Sequence, residues 1–202
     1  MNNYFMPVKK SFFKTMLRTE LLQWKLNHTP LWFVKRRNRL FRKIVAHIDG
    51  KPFCVYSPIH LQQGNNTYIG KNFYSGYNCV ILDHGVVKIG DNVMLAPNVS
   101  ILTVAHPLLA EQRIVRPFSN SFEPYGRGEI EITKPVTIGN NVWIATGSIV
   151  TGGVTIGDNS VIGAGSVVTR DIPPNTFACG VPCRVIRQIT EDDRLDIDIF
   201  DT

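Results

Sequence analysis

Branched apolar residues recur every six positions between residues 138 and 168. They stand at Ile138, Ile144, Val150, Ile156, Ile162 and Val168. Small residues follow four positions after the first five of them, at Val142, Ser148, Val154, Ser160 and Ser166. A period of six fits neither a long helix nor an alternating hairpin sheet. It predicts short strands and tight turns, three to a coil, stacked as a triangular prism with the branched side chains inside.

The same pattern starts earlier and is interrupted twice. Its earlier members are Ile69-Gly70, Ile89-Gly90, Leu95-Ala96 and Ile101. From Ile69 to Ile89 is 20 residues, two more than one coil, and from Ile101 to Ile138 is 37 residues, one more than six repeats. Residues 107–134 contain several Pro and Gly, so they are predicted to leave the prism as an excursion loop. Long loops in compact folds often carry function.

Helical spacing replaces the six-residue period before residue 49. The apolar residues with this spacing are Leu17, Leu21, Trp24, and then Leu40, Phe41, Ile44, Val45 and Ile48. The basic residues between the later ones are Arg37, Arg39, Arg42 and Lys43. Two interpretations stay open: the helices pack on the prism and leave their charges in water, or they dock on an anionic membrane surface.

These patterns divide the chain into three parts. Residues 1–48 form a basic helical segment, residues 49–188 a β-helix that includes the loop 107–134, and residues 189–202 an acidic tail. The 202 residues, 44% of them hydrophobic, suit one core domain with an appendage. The net charge of +6 is uneven, because residues 1–47 hold eleven Lys and Arg against one acid, Glu20. A basic start and an acidic end suggest a charged interface or an anionic partner, although no motif indicates nucleic-acid binding.

Composition also bears on the compartment. The four cysteines, Cys54, Cys79, Cys179 and Cys183, match no zinc ribbon or disulfide framework. They are interpreted as reduced thiols, although a metal pair at Cys179 and Cys183 is an alternative. The N-terminus shows no signal peptide, and no apolar run is long enough to span a membrane. We therefore expect a cytoplasmic protein.

One histidine stands where a run of strand-forming residues stops. The stretch NVSILTVAHPL, residues 98–108, alternates like a strand up to Ala105 and then reads His106-Pro107. A surface histidine at a strand end is one interpretation. The other is a catalytic base at the edge of a regular scaffold, since a neutral imidazole accepts a proton near neutral pH.

Three segments carry a specific resemblance to a known family. They are NTYIGKNFYSGYNCVILD (66–83), IGDNVMLAPNVSILTVAHP (89–107) and KPVTIGNNVWIATGSIVTGGVTIGDNSVIGAGSVVTRDIPPNTFACGVPCRVI (134–186). The repeat resembles the hexapeptide-repeat acyltransferases, and residues from about 55 to 188 resemble the maltose and galactoside O-acetyltransferases. The resemblance implies a left-handed parallel β-helix, a homotrimer with active sites between neighbouring prisms, acetyl-CoA as donor and no metal.

The resemblance also implies roles for individual residues. His106 matches the histidine that acts as general base, taking the proton of an acceptor hydroxyl. The positions that match donor contacts are Trp143, Thr146, Ala164, Thr169, Arg170, Arg184 and Arg187. Arginines suit the phosphates of coenzyme A, and a backbone N–H near Thr146 would steady the developing oxyanion. Corner turns and ordinary surface charges are the alternative for these positions.

The acceptor side departs from the family pattern. Where galactoside acetyltransferases place a serine, an asparagine and an aspartate around the sugar, this chain has Gln62, Gly76 and His84. Further candidate acceptor residues are Asn78, Asp83 and Glu131. Asn78 and Asp83 are equally interpretable as a coil corner and a turn cap. The loop aromatics Phe118, Phe122 and Tyr125 either stack on sugar rings or fold the loop onto itself.

These observations favour an acetyl-CoA-dependent O-acetyltransferase acting on a sugar or glycan precursor. One alternative keeps the chemistry but changes the acceptor to an antibiotic, serine or an amino sugar. Another is a trimeric scaffold that has lost catalysis. A zinc-dependent carbonic anhydrase on the same fold needs three histidine ligands. His84 and His106 would supply two, but Glu111 stands five residues beyond His106, and His28, His47 and His60 offer no evident third.

Overall fold

Short parallel strands stack along one axis, as the six-residue period predicts. The computed structural model describes residues 3–5, 10–117 and 127–196. The helices are α1 (Lys10–Asn27), α2 (Val34–Ile44), α3 (Ala110–Arg113) and a 3-10 turn at Glu191–Asp193. None of the helices in the described ranges combines the length and the apolar run that a bilayer span needs.

The strands are two to five residues long, which is why each coil is compact. In chain order they are β1 (Asn3–Phe5), β2 (His47–Ile48), β3 (Cys54–Val55), β4 (Ile59–Leu61), β5 (Thr67–Ile69), β6 (Tyr74–Ser75), β7 (Cys79–Leu82), β8 (Val87–Ile89), β9 (Met94–Leu95), β10 (Ser100–Leu102), β11 (Val104–Ala105), β12 (Ile114–Pro117), β13 (Arg127–Glu129), β14 (Glu131–Thr133), β15 (Val136–Ile138), β16 (Trp143–Ile144), β17 (Ile149–Thr151), β18 (Thr155–Ile156), β19 (Val161–Ile162), β20 (Val167–Val168), β21 (Thr176–Cys179) and β22 (Arg184–Gln188).

Three parallel sheets form the faces of the prism. Face I contains β2, β5, β8, β15 and β18, and face III contains β4, β7, β10, β17 and β20. Face II contains β3, β6, β9, β16, β19 and β21, with β22 added antiparallel at its end. The chain visits the faces in the order I, II, III in every coil, so each coil has three corners.

The register confirms the predicted coil of three repeats. Ile138 pairs with Ile156, which lies eighteen residues further along the chain, and the branched side chains stack inside the prism. The 20-residue step from Ile69 to Ile89 is one slightly enlarged coil. Because Ile89 pairs directly with Ile138, the excursion loop is inserted between two adjacent coils without breaking the stack.

The corner between faces I and II holds two features that stack from coil to coil. A Cβ on Gly90 would lie 2.7 Å from the carbonyl carbon of Gly139, so the coils approach too closely there for any side chain. Asparagines with φ near +55° form a ladder at the same corner, each amide bonded to the next, through Asn72, Asn92, Asn141, Asn159 and Asn175. Asparagine tolerates this left-handed backbone, and its repeated spacing after Ile-Gly is a sequence signal that hydrophobic periodicity alone misses.

Helix α1 covers the open strand edge of the first coil with polar side chains. Thr19 donates to the carbonyl of Gln63, Gln23 bonds both backbone groups of Leu61, and Asn27 bonds both backbone groups of Ile59. Four helical residues rise about 6 Å, which is close to the rise of two strand residues. The spacing of 19, 23 and 27 therefore matches alternate residues of β4. Unpaired sheet edges need such a cover.

The structure corrects the predicted roles of several apolar residues in this segment. Leu17, Leu21 and Trp24 do lie on a helix, but they form its exposed face and not its packing face. Helix α2 ends at Ile44, and Ile48 lies in β2, because the backbone beyond Ile44 pairs with β5. Apolar residues of helix and coil run together in the sequence, so periodicity alone places the helix end too late.

The predicted excursion loop contains regular structure of its own. Within its described residues are α3, the antiparallel pair β12 and β13, and β14. Strand β14 pairs antiparallel with both β11 and β1, so this part of the loop returns to the prism. Phe118, Phe122 and Tyr125 lie outside the described residues.

Candidate functional site

His106 lies at the corner between faces III and I, directly after β11. Its side chain is exposed, and Nδ1 lies 3.0 Å from the carbonyl oxygen of Ile130, at the start of β14. A carbonyl oxygen can only accept, so Nδ1 carries the hydrogen and the neutral ring has its lone pair on Nε2. The backbone of the returning loop thus selects the tautomer that a general base needs.

His84 and Glu131 form a half-buried pair beside this histidine. Nδ1 of His84 lies 2.7 Å from Oε2 of Glu131, and both side chains are less than one-fifth exposed. Ala105 faces Ile132 in the antiparallel pairing of β11 with β14. The same register, continued by one residue, brings His106 opposite Glu131. The structure therefore gathers three of the predicted site residues at one corner, with β14 as the common element.

Asp83 is enclosed and caps a turn, which is one of its two predicted roles. Its carboxylate accepts from the backbone N–H groups of Gln63 (2.8 Å), Gly64 (3.1 Å) and Asn66 (3.3 Å), and from the hydroxyl of Thr67 (3.0 Å). The side chain has no solvent exposure. This geometry favours the cap over a contact with sugar.

The other two predicted acceptor residues lie on the coils nearby. Asn78 occupies a corner with φ of 59°, where asparagine is tolerated for backbone reasons. Gln62 is half-buried, and its amide lies 3.8 Å from the sulfur of Met16 on α1. Neither residue touches the pair of His84 and Glu131 through any hydrogen bond in the described structure.

The predicted donor residues are grouped mainly on face II and at the corner between faces II and III. Trp143 is 47% exposed and begins a column of paired residues across face II that continues through Val161, Phe177 and Arg187. Thr146 and Ala164 are exposed at the adjoining corner. Arg184 is exposed on β22, and its Nη1 donates to the carbonyl of Cys183 (2.8 Å). An exposed guanidinium at this corner suits a phosphate group.

Arg187 is already engaged by its own chain. Its two terminal nitrogens bond both carboxylate oxygens of Asp193, at 2.5 and 2.7 Å, and its guanidinium lies over the ring of Phe177. These bonds hold the pKa of Asp193 down to about 2. Asp193 also accepts from the backbone N–H of Thr190 as part of a capping box. The spacing of three residues from Thr190 to Asp193 is a sequence signal for the capping box, and hydrophobic periodicity does not reveal it.

Thr169 and Arg170 belong to a different corner from the other donor residues. They follow β20 directly, at the corner between faces III and I, and both are exposed. Leu102 pairs with Thr151, and Val150 pairs with Val168, so Thr169 lies two coils beyond the end of β10. These two residues therefore share a corner with His106.

His106 and Arg184 lie on opposite sides of face III. The strands that cross this face have up to four residues. Three strand residues span about 10 Å, which is the approximate width of the face. Within one chain, His106 and Arg184 are therefore separated by the width of face III, whereas Thr169 and Arg170 share the corner of His106.

The structure bears on two alternatives from the sequence, a zinc site and a metal pair at Cys179 and Cys183. Within the part of the chain that the structure describes, no group of three or more His, Cys, Asp or Glu is placed to hold a metal ion. The four cysteines are free thiols, with Cys79 and Cys183 buried. Burial raises the pKa of both thiols.

The group that orients His106 is a backbone carbonyl, so no residue type in the sequence predicts it. Ile130 acts through its carbonyl oxygen, so its type carries no signal. The pairing of β11 with β14 also joins segments about 28 residues apart, which no local pattern reveals.

Comparison with known proteins gives one consistent family. A model described as bacterial transferase hexapeptide, six repeats, matches residues 135–170. The galactoside O-acetyltransferase of Escherichia coli (strain K12) is 44% identical over 178 residues, which cover 88% of this chain and 81% of that protein.

Solved structures agree in fold along almost the whole chain. A galactoside acetyltransferase in complex with coenzyme A is 40% identical, with a TM-score of 0.82 over 95% of this chain and 88% of that one. A maltose O-acetyltransferase from Clostridium difficile 630 is 42% identical, with a TM-score of 0.82 over 94% of each chain.

Proposed function

The chain belongs to the hexapeptide-repeat acetyltransferases related to galactoside and maltose O-acetyltransferases, and from this premise we propose that it acetylates a hydroxyl of a sugar or glycan precursor, with His106 as general base. Its reaction is acetyl-CoA-dependent O-acetyl transfer, on the left-handed parallel β-helix of that family. The observation that carries the base assignment is the hydrogen bond from Nδ1 of His106 to the carbonyl of Ile130.

The proposed chemistry follows from this orientation. Nε2 of His106 takes the proton of the acceptor hydroxyl while the hydroxyl oxygen bonds to the acetyl carbonyl carbon. The carbon–sulfur bond breaks, and the proton on Nε2 passes to the departing thiolate. Acetyl-CoA supplies an already activated thioester, so a covalent enzyme intermediate is unnecessary. A backbone N–H near Thr146 is our candidate for stabilising the oxyanion.

We assign the acceptor to the corner shared by His84, His106 and Glu131. His84 carries a carboxylate-paired imidazole where the galactoside enzymes have an aspartate. Gly76 has no side chain where they have an asparagine. Specificity for a hydroxyl depends on groups of this kind, so we expect an acceptor other than a simple β-galactoside. Gln62 and Asn78 are secondary candidates for contacts further along the coil.

For the donor, we propose that the phosphates and the pantetheine arm lie along face II and its corner with face III, and that Thr169 and Arg170 contact the donor from the corner that holds His106. Arg170 and Arg184 are exposed cations, and phosphates favour planar cations that donate several hydrogen bonds. Trp143, Thr146, Ala164 and Thr169 would contact the arm or the nucleoside. Arg187 would reach the donor only by releasing Asp193, so we place it among the residues that shape the site.

We further propose a homotrimer in which each active site lies between two copies. Faces II and III have apolar outward side chains, among them Met94, Trp143, Val80 and Ile149, while face I carries exposed residues such as Lys88. Exposed apolar faces mark interfaces, and a closed ring of three copies covers both of them. It also brings the His106 corner of one copy against face II of the next copy, which carries Trp143. A cytoplasmic location agrees with the four free thiols.

The decisive experiment measures thiol release from acetyl-CoA across a panel of acceptors. The panel contains sugars, nucleotide sugars, serine and amino-sugar antibiotics. We expect release with a sugar or glycan hydroxyl, and a loss of more than about a hundredfold in kcat for His106→Ala with acetyl-CoA binding retained. His47→Ala is the matched control, because this exposed histidine lies on face I and pairs with Asp49.

Each other outcome contradicts a defined part of the proposal. An unchanged rate in His106→Ala would exclude the base. Release with serine or an antibiotic alone would replace the acceptor class. Acetyl-CoA binding without release on any acceptor would favour the scaffold.

A further inference from the structure

Four consecutive large apolar side chains are exposed at the turn between α1 and α2. Leu31 is 39% exposed, Trp32 78%, Phe33 51% and Val34 56%. Single exposed apolar residues are common on protein surfaces, but a contiguous group marks a contact surface. We call residues 31–34 the apex.

The apex is held in place by the structure beneath it. Arg37 is buried, and it donates to the carbonyls of Leu26 and Thr29 at the end of α1 and to the carbonyl of Val55 on the first coil. The backbone N–H of Phe33 bonds the carbonyl of Pro30. The exposure of Trp32 and Phe33 is therefore a property of a fixed turn and not of a chain end.

Positive charge surrounds the apex. Trp32, Phe33 and Val34 line an open groove together with Lys35, Arg36 and Arg39. Lys35, Arg36 and Arg39 are exposed, and the sequence has no Asp or Glu between Glu20 and Asp49. A surface with aromatic residues at its tip and cations at its rim complements a partner that has negative charge at its surface and an apolar layer beneath it.

We propose that the apex docks on an anionic phospholipid bilayer. Tryptophan partitions into the interfacial zone of a bilayer, where its rings contact hydrocarbon and its N–H contacts water, and phenylalanine adds apolar contact area. The rim cations meet the negative charge of the headgroups. Pairing of two apices is disfavoured, because each carries the same positive charge. The contact is peripheral and places the enzyme at a membrane surface.

The experiment measures partitioning of the full-length protein onto vesicles. The vesicles are phosphatidylcholine alone or phosphatidylcholine with about one-third phosphatidylserine, at low and physiological salt. We expect at least about tenfold stronger partitioning onto the anionic vesicles, weakened by salt. The pair Trp32→Ser and Phe33→Ser is expected to lose about tenfold, and the pair Lys35→Gln and Arg36→Gln a similar factor.

Two controls separate docking from general charge and from misfolding. The pair Lys71→Gln and Lys88→Gln removes the same charge from exposed positions outside the apex and is expected to change partitioning less than about twofold. Thermal unfolding of each variant at equal concentration checks the fold. A protein with Trp24→Phe and Trp143→Phe keeps only Trp32 as tryptophan, and its emission is expected to shift to the blue on anionic vesicles alone.

Several results would overturn the proposal. They are absence of binding to anionic vesicles at low salt, equal binding to neutral and anionic vesicles, and apex variants that bind as well as the parent chain. Self-association or nucleic-acid binding that the apex variants abolish, without lipid binding by the parent chain, would assign the surface to another partner.

Discussion

At the scale of single residues, Asp83 shows how a polar side chain in a family-like motif can serve the scaffold. Its carboxylate is fully buried and gathers four hydrogen-bond donors from residues 63–67. The segment that it caps leads from β4 to β5, next to the corner that holds His84. Asp83 therefore keeps the backbone in place beneath the acceptor side without touching solvent.

Replacing Asp83 with asparagine is expected to reduce stability more than chemistry. One accepting oxygen becomes an amide NH₂ that faces backbone donors, and the charge-assisted bonds are lost. We expect the free energy of unfolding to fall by about 2–3 kcal/mol, measured in urea at fixed protein concentration. Asp91→Asn is the control, because the carboxylate of Asp91 accepts only from the backbone N–H of Lys71, at a half-exposed corner. A raised KM for the acceptor with unchanged stability would instead place Asp83 in the binding site.

At the scale of elements, α1 stabilises the solenoid through hydrogen bonds to the strand edge as well as through apolar packing of Leu22 and Leu26. The side chains of Thr19 and Gln23 are buried against β4, while Leu21 and Trp24 face solvent. The open edge of a parallel sheet exposes backbone groups that cost free energy when they are covered without partners. A row of side-chain amides and hydroxyls supplies those partners.

The variant Gln23→Leu tests this role of α1. It leaves the N–H and the carbonyl of Leu61 covered and without their side-chain partner, so we expect a loss of about 2–5 kcal/mol in the free energy of unfolding. Lys25→Gln, on the exposed side of the same helix, is expected to stay within about 0.5 kcal/mol. Denaturant unfolding at one protein concentration measures both. Equal stability of the two variants would show that α1 does not cap the coil.

At the scale of the whole molecule, the separation of His106 from Arg184 has a consequence for assembly. The first lies at the corner between faces III and I, and the second at the other end of face III. In the trimer that we propose, an active site between two copies would combine His106 of one copy with the donor residues of the next.

Mixing two inactive variants tests this arrangement. His106→Ala lacks the proposed base, and Arg184→Glu repels the donor phosphates. Unfolded together and refolded as mixed trimers, they are expected to recover about a quarter of the parental activity, because each mixed ring has one interface with both intact groups. Refolding each variant alone is the control. Mixed trimers that stay inactive would place the complete site within one copy.

Hydrophobic periodicity along the chain is sufficient to predict the scaffold. Six-residue periodicity is a local property, since each repeat needs one buried branched residue and one tight turn, and the register of Ile138 with Ile156 follows from counting. The resemblance to the family predicts His106 as the base, whereas its position at a strand end is equally typical of a surface histidine. Residue spacing predicts helices in the first 48 residues, but it does not predict which side of each helix is buried.

The surroundings of each side chain depend on tertiary contacts. The side of α1 that meets the strand edge is polar, although Leu26 is buried beside it, and no hydrophobic pattern signals which polar residues lie there. The tautomer of His106 depends on a carbonyl at Ile130, whose residue type is irrelevant. The pairing of His84 with Glu131 joins residues 47 positions apart across the loop. Contacts of this kind depend on which coils and loops become neighbours in space, and a one-dimensional pattern does not contain that information.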